Sequence, residues 1–150
     1  MPHNDHYGFD LSTSNTEAAA AYDRGARSFV AWRADAMGHL DAAIAADPNF
    51  AMPKLLKAWI LHAARTHKFS PVVHGLLADA EPLLADSSPR ERALAASVRT
   101  AHHGDLQGGV AVLETYLAEN PRDIVAHRLA QFELFWSGES KWMRDIAERA

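Results

Sequence analysis

The chain of 150 residues contains no cysteine. This absence excludes disulfide bonds, thiolate catalysis and cysteine-ligated zinc sites, and it fits a reducing compartment. The sequence also lacks any apolar run of about 18 residues, the minimum for a membrane-spanning helix. The first ten residues, MPHNDHYGFD, lack the apolar core of a signal peptide. We therefore expect a cytoplasmic protein that does not bind a membrane.

Basic residues are few and scattered. Lysine and arginine together number 15 against 19 aspartates and glutamates, which gives a formal net charge of −4. Without a basic patch, the chain has no electrostatic footprint for a nucleic acid. Hydrophobic residues make up 48 % and charged residues 23 %, a balance typical of one globular domain with a real core. The expected partner is therefore a protein or peptide.

β-branched residues are sparse and no window alternates strictly between apolar and polar, so we expect no sheet. The stretch LSTSNTEAAAAYDRG instead has the features of a helix start. Ser14 followed three residues later by Glu17 predicts a capping box, with Thr13 and Asn15 as alternative caps. A phosphate-binding loop would need glycines, and the polar cluster contains none.

Three serine–proline or asparagine–proline pairs predict further helix starts, at Ser70-Pro71, Ser88-Pro89 and Asn120-Pro121. Gly104 and Gly138 follow apolar stretches and predict helix ends. A further proline, Pro82, should kink or split the fourth helix. Together these signals predict eight helices, over residues 15–33, 36–46, 50–67, 71–86, 89–103, 106–119, 121–136 and 140–150.

Eight helices with short links form four hairpins, and two of the second helices share a pattern. Ala36, Leu40 and Ala43 stand 12, 8 and 5 positions before Pro48. Gly109, Leu113 and Tyr116 stand at the same distances before Pro121, so a small residue is again followed by leucine. This pattern is typical of a tetratricopeptide repeat. We therefore predict an all-α fold, a tetratricopeptide-like right-handed superhelix of about four helical hairpins. Residues 1–13 would form a mobile N-terminal arm, and residues 14–150 the helical-repeat domain.

Four segments extend this likeness over nearly the whole chain: GFDLSTSNTEAAAAYD, AADPNFAM, the stretch from Arg90 to Ala130, and MRDIAERA. In these segments the chain resembles the N-terminal part of the tetratricopeptide repeat protein 38 family. The resemblance covers about the first third of a family member. Two positions depart from the resemblance: Leu94 stands where many family members have a histidine, and Gln131 stands where an acidic residue is common in the family. The resemblance implies a helical-repeat scaffold and no established reaction.

Histidine, with nine copies, is the one over-represented reactive residue type. His62, His67 and His74 span the turn between the third and fourth helices. A helical metal pair needs ligands four residues apart, whereas His62 and His67 are five apart. No metalloprotease or serine-hydrolase motif is present either. We therefore expect no metal site, no cofactor and no catalytic residue.

In repeat scaffolds the first helix of each hairpin lines a concave groove. Counting from the prolines places nine candidate partner-binding residues there: Trp59, His62, Glu91, Leu94, Val98, His102, Arg128, Phe132 and Phe135. On the last helix, Trp142, Met143 and Ile146 would form an uncovered apolar face. These residues predict a non-enzymatic scaffold that binds an apolar helix or self-associates. The alternatives are a part of an uncharacterised enzyme, or a protein that binds a small apolar ligand in the groove.

Overall fold

The computed structural model describes residues 3–150 and confirms the all-α prediction. Eight helices follow one another with short links. They are α1 (Thr16–Val30), α2 (Ala36–Ala46), α3 (Ala51–Ala63), α4 (Ser70–Ala80), α5 (Pro89–His102), α6 (Leu106–Glu119), α7 (Ile124–Ser137) and α8 (Ser140–Glu148). None of the helices within residues 3–150 combines the length and the apolar character that crossing a bilayer requires.

Two of the local predictions are confirmed at the helix starts and breaks. Ser88 and Glu91 form a capping box, in which each side chain bonds the backbone N–H of the other residue. Pro82 ends the fourth helix, because α4 stops at Ala80 and a 3-10 segment, Glu81–Asp86, follows.

Three other helix starts differ from the prediction. Asn15, not Ser14, caps α1 and accepts a hydrogen bond from the backbone N–H of Ala18 at 3.0 Å. Asp123 caps α7 in place of Asn120. The side chain of Asn120 instead donates to the carbonyl of Tyr116 in the preceding helix. Ser70 is the first residue of α4 and makes no capping bond.

Three of the four hairpins turn through the same backbone motif. A residue at the C-cap or directly after it has a left-handed conformation, and its N–H donates to the carbonyl three residues back. The N–H of the next residue donates to the carbonyl five residues back. Gly104 and Gly138 occupy the left-handed position in the third and fourth hairpins, as predicted. In the first hairpin Trp32 occupies it with a φ of 57°.

Each odd-numbered helix packs on the even-numbered helix that follows it, which gives four antiparallel hairpins. Close approach within the third hairpin depends on Gly109, whose carbonyl accepts a 2.5 Å hydrogen bond from the Ser97 hydroxyl. The helix α3 is central and contacts α1, α2 and α5. The helix α7 also reaches back to α1 and α3, so the fourth hairpin lies against the first two.

The expectation of no sheet is wrong, and the part of the expected arm that the structure describes, residues 3–13, contacts the helices. His3–Asn4 pairs with Asp10–Leu11 in a short antiparallel ribbon. Between these strands Asp5 is buried, and its carboxylate accepts a 2.6 Å hydrogen bond from Arg90 on α5. The buried Thr13 hydroxyl donates to Asp47 at 2.5 Å. The arm therefore packs as part of the domain, and no break in packing marks residue 13.

Candidate functional site

Four aromatic side chains cluster on one surface, and we call this cluster the aromatic patch: Trp32, Phe132, Phe135 and Trp136. Trp32 is 65 % exposed, Phe135 64 % and Trp136 61 %. The ring centroid of Phe132 lies 5.1 Å from that of Trp32 and 6.1 Å from that of Trp136, and Phe135 lies 5.4 Å from Trp136. Such large exposed rings in mutual contact are unusual, because exposed apolar residues normally stand singly.

Two elements build the aromatic patch. The spacing of three and four residues places Phe132, Phe135 and Trp136 on one face of α7. The left-handed turn after α1 projects Trp32 toward that face. Above the Trp32 ring lies the guanidinium of Arg128, 4.6 Å from the centroid, in a cation–π contact.

The patch borders a surface depression with two lobes, which we call the aromatic groove. One lobe of about 350 Å³ lies between the end of α1, the start of α2, α3 and α7. The other lobe, of about 290 Å³, lies between α7 and Met143 of α8. Both lobes share Trp32 and Phe132. Their lining within residues 3–150 contains the cations Arg33 and Arg128 and no carboxylate.

Arg128 is the cation nearest the centre of the groove. Its Nε has no hydrogen-bond partner in the described chain, although it is shielded from solvent. Arg33, at the rim, makes a long 3.4 Å contact with Asp35 on a highly exposed surface. Exposed pairs of this kind are weak. The groove thus presents positive charge beside apolar surface in a chain of net negative charge.

A second depression lies at the far ends of α3 and α5, and we call it the histidine pocket. It has a volume of about 320 Å³, and its polar lining is His62, Arg65, Thr66, His67, Ser70 and His102. The imidazole centroids of His62 and His102 are 5.9 Å apart. Burial lowers the pKa of His62 to about 4, and the neighbouring His102 and Arg65 act in the same direction.

Arg65 connects the histidine pocket to α7. Its backbone is left-handed, with a φ of 55°, and its Nη2 lies 2.7 Å from Oε2 of Glu133. The Glu133 side chain is buried, and its Oε1 has no partner within residues 3–150. Burial raises the pKa of Glu133, and the charge of Arg65 opposes that shift.

Five predicted partner-binding residues are buried in the core: Trp59, Glu91, Leu94, Val98 and Ile146. Glu91, for example, accepts hydrogen bonds from the Ser12 hydroxyl and from the backbone N–H of Met52. The three residues of α5 are enclosed because α5 packs against α3, α4 and α6. They are not available to a partner in this fold.

The remaining predicted residues stay near a surface. Arg128, Phe132 and Phe135 belong to the groove, and His62 and His102 line the histidine pocket. On α8, the expected uncovered face is wrong, because Ile146 is buried and the indole of Trp142 donates to Glu114 on α6. Met143 lines the groove.

Trp32 and Trp136 were not predicted as site residues. Trp32 stands at the turn position that glycine occupies after α5 and α7, and this difference is the sequence signal that could have identified it. Among residues 3–150, no group of three or more potential metal ligands stands close enough to hold an ion. No family model matches the chain, and a search of solved structures finds no significant match.

Proposed function

We propose that the chain is a non-enzymatic helical-repeat module that binds a protein segment in its aromatic groove. In this proposal the four hairpins form a tetratricopeptide-like right-handed superhelix, and the chain is related to the tetratricopeptide repeat protein 38 family. The motif shared by three hairpin turns and the spacing before Pro48 and Pro121 support the repeat. A cytoplasmic location and self-association remain predictions.

The observation that carries the proposal is the contiguity of exposed aromatic rings. Trp32, Phe135 and Trp136 each expose more than half of their surface. Phe132 links Trp32 to Trp136, and Trp136 contacts Phe135. Tryptophan and arginine are the residue types most enriched among interface residues that dominate binding energy. Trp32 also sits in a backbone conformation that favours glycine, which indicates that its side chain is retained for a reason other than turn stability.

The charges of the groove define the partner's chemistry. A segment that fills both lobes needs two or more large apolar side chains on one face, as an amphipathic helix provides. Arg128 and Arg33 would pair with carboxylates beside those apolar residues, because the groove lining contains no acid and Asp35 makes only a long, exposed contact with Arg33. We therefore expect an acidic amphipathic helix.

A displayed library of amphipathic helices of random charge tests this function. Selection on the wild-type protein should enrich sequences with leucine or phenylalanine at helical spacing and with aspartate or glutamate beside them. The selected peptides should lose at least tenfold in affinity for a Trp32→Gly, Phe135→Ser double variant. Val72→Ser, which changes an exposed apolar residue outside the groove lining, serves as the matched control.

Peptides that bind the double variant as tightly as the wild type would refute the groove as the site. Failure of the selection to enrich any class of helix would equally contradict the proposal.

The larger lobe of the groove supports a second candidate function, the binding of a small apolar ligand. Its volume of about 350 Å³ falls within the range of small-molecule sites, and most of its lining is apolar. This function predicts that fatty or aromatic ligands raise the melting temperature of the wild-type protein. An Ile60→Trp substitution, which would fill this lobe, should abolish that rise. Under the peptide-binding function, small ligands leave the melting temperature unchanged.

A further inference from the structure

His62 and His102 face one another at the histidine pocket, away from the aromatic patch. His62 lies in the last turn of α3, and His102 is the last residue of α5. Their ring centroids are 5.9 Å apart, with an interplanar angle of 81°. The Nε2 atom of His62 is shielded from solvent and has no hydrogen-bond partner within residues 3–150. A buried imidazole nitrogen without a partner is costly, and a ligand would relieve that cost.

The pKa values of both imidazoles are lowered, which favours their neutral forms. Burial lowers the pKa of His62, as do the neighbouring His102 and Arg65. Burial lowers the pKa of His102 too, with contributions from His103 and from His74 on α4. A neutral imidazole has a free lone pair, which is the form that ligates transition metals.

We propose that His62 and His102 form a two-histidine site for a divalent transition-metal ion. Two imidazole nitrogens at about 2.0–2.1 Å from a tetrahedral ion place their ring centres roughly 5 to 5.5 Å apart. The observed centroid separation of 5.9 Å exceeds this span by less than about 1 Å. The adjoining cavity leaves the other coordination positions open to water or to a second ligand.

The charge around the pair allows a cation to enter. Arg65 is the guanidinium that lines the pocket, and its charge is balanced by Glu133, whose carboxylate lies 2.7 Å away. His67 lines the pocket and the charge of His74 acts on His102, so both histidines need separate controls. Nitrogen ligands favour Cu²⁺, Ni²⁺ and Zn²⁺ over Mg²⁺ and Ca²⁺, which defines the expected selectivity.

Isothermal titration with zinc chloride tests the site in the full chain. The parent protein should carry His3→Asn and His6→Asn, so that the arm histidines do not contribute, and it should have no affinity tag. We expect one bound Zn²⁺ per chain with micromolar affinity, and a melting temperature several degrees higher at saturating metal. His62→Asn and His102→Asn should each lower the affinity at least tenfold.

His103→Asn is the matched control, because His103 is adjacent in sequence but its Nδ1 is engaged with the carbonyl of Arg99 at 2.8 Å. His67→Asn and His74→Asn are the controls for the pocket mouth. All three should bind Zn²⁺ within about twofold of the parent. Lowering the pH from 7.5 to 6.0 should weaken binding by less than the roughly tenfold loss that two histidines of pKa 6.5 would show.

Affinity that survives in His62→Asn, or that disappears in His67→Asn or His74→Asn, would overturn the proposal. The absence of binding below millimolar zinc would also overturn it. If the His62 and His102 variants fail to fold, diethyl pyrocarbonate modification of the parent decides the question by mass spectrometry. Zn²⁺ should then protect His102 and leave His103 reactive, and equal modification with and without metal would refute the site.

Discussion

Arg65 and Glu133 form an ion pair between the turn after α3 and the middle of α7, with Nη2 and Oε2 2.7 Å apart. Only 1 % of the Glu133 side chain is exposed, whereas a third of Arg65 is. The carboxylate therefore depends on the arginine far more than the arginine depends on the carboxylate. This asymmetry determines how the two partners respond to substitution.

Arg65→Ala should lower the free energy of unfolding by about 2 to 4 kcal/mol at pH 7, because it leaves a buried carboxylate unpaired. Glu133→Gln should lower it by less than about 1 kcal/mol, because it removes the buried charge itself. Since the pKa of Glu133 is raised, the Arg65→Ala deficit should shrink as the pH falls and the carboxyl takes up a proton. Urea unfolding measures both variants, and equal losses in the two would contradict this account.

Arg90→Met should be among the most damaging single changes. Arg90 is buried and bonds Asp5 of the arm and Asp123 of α7, at 2.6 and 2.9 Å. Its loss leaves two buried carboxylates without their cation, which we expect to cost about 3 to 5 kcal/mol. Arg99→Met, at an exposed pair with Glu81, should cost less than about 1 kcal/mol in the same thermal or urea experiment.

Gly109→Ala should destabilise the third hairpin. An added Cβ would lie 2.9 Å from the backbone oxygen of Ser97 and 2.8 Å from the Cβ of Ala101, so the two helices would have to separate. We expect a cost of about 1 to 3 kcal/mol. Gly75→Ala on α4 meets nothing within 4 Å and should instead stabilise by about 0.5 to 1 kcal/mol. The same sign for both substitutions would show that helix packing is looser than described.

Trp32→Gly should leave the protein more stable than Trp32→Ala by about 1 kcal/mol, because residue 32 has a left-handed backbone. The opposite order should hold at Ala20, an exposed position within α1, where glycine is less stable than alanine by a similar amount. Differential scanning calorimetry of the four proteins checks both signs. A Trp32→Ala variant as stable as Trp32→Gly would show that the turn relaxes to an ordinary conformation.

Acid should destabilise the protein through His62. Its folded pKa of about 4 lies below the unfolded value of 6.5, so the unfolded chain binds the proton first. The stability contributed by the neutral ring is complete above pH 6.5 and is lost as the pH falls toward 4. We expect about 1 to 2 kcal/mol, less than the full shift would imply, because the ring is only partly buried. His62→Gln should flatten this part of the pH profile in buffer that contains a chelator.

The helices were predictable because their signals are local. The capping box at Ser88, the break at Pro82 and the turn glycines Gly104 and Gly138 act within a few residues of their own position. Asn15 was only an alternative to Ser14 and Asp123 was not predicted as a cap, because several polar residues compete at each position and the choice depends on distant partners. The Thr13 hydroxyl, for instance, bonds Asp47 on the other side of the first hairpin.

The arm and the site depend on contacts that sequence spacing does not encode. The hydrogen bond from Arg90 to Asp5 joins residues 85 positions apart, so the sequence near Asp5 carries no signal that the arm is held in place. Repeat register predicted that Leu94 and Val98 line an open groove, but α5 packs against α3, α4 and α6, and both residues are buried. The exposed rings lie on α7 and on the turn after α1, where register alone could not bring them together.

The contact of α7 with α1 and α3 makes the unfolding of the four hairpins cooperative. In an open array each hairpin touches only its neighbours, so terminal hairpins can melt alone. Here the last hairpin contacts both the first and the second, so local unfolding of any one of them destabilises the other two. Amide protons of α1 and α7 should therefore exchange through a single shared opening, and a truncation at either terminus should cost the whole domain its cooperativity.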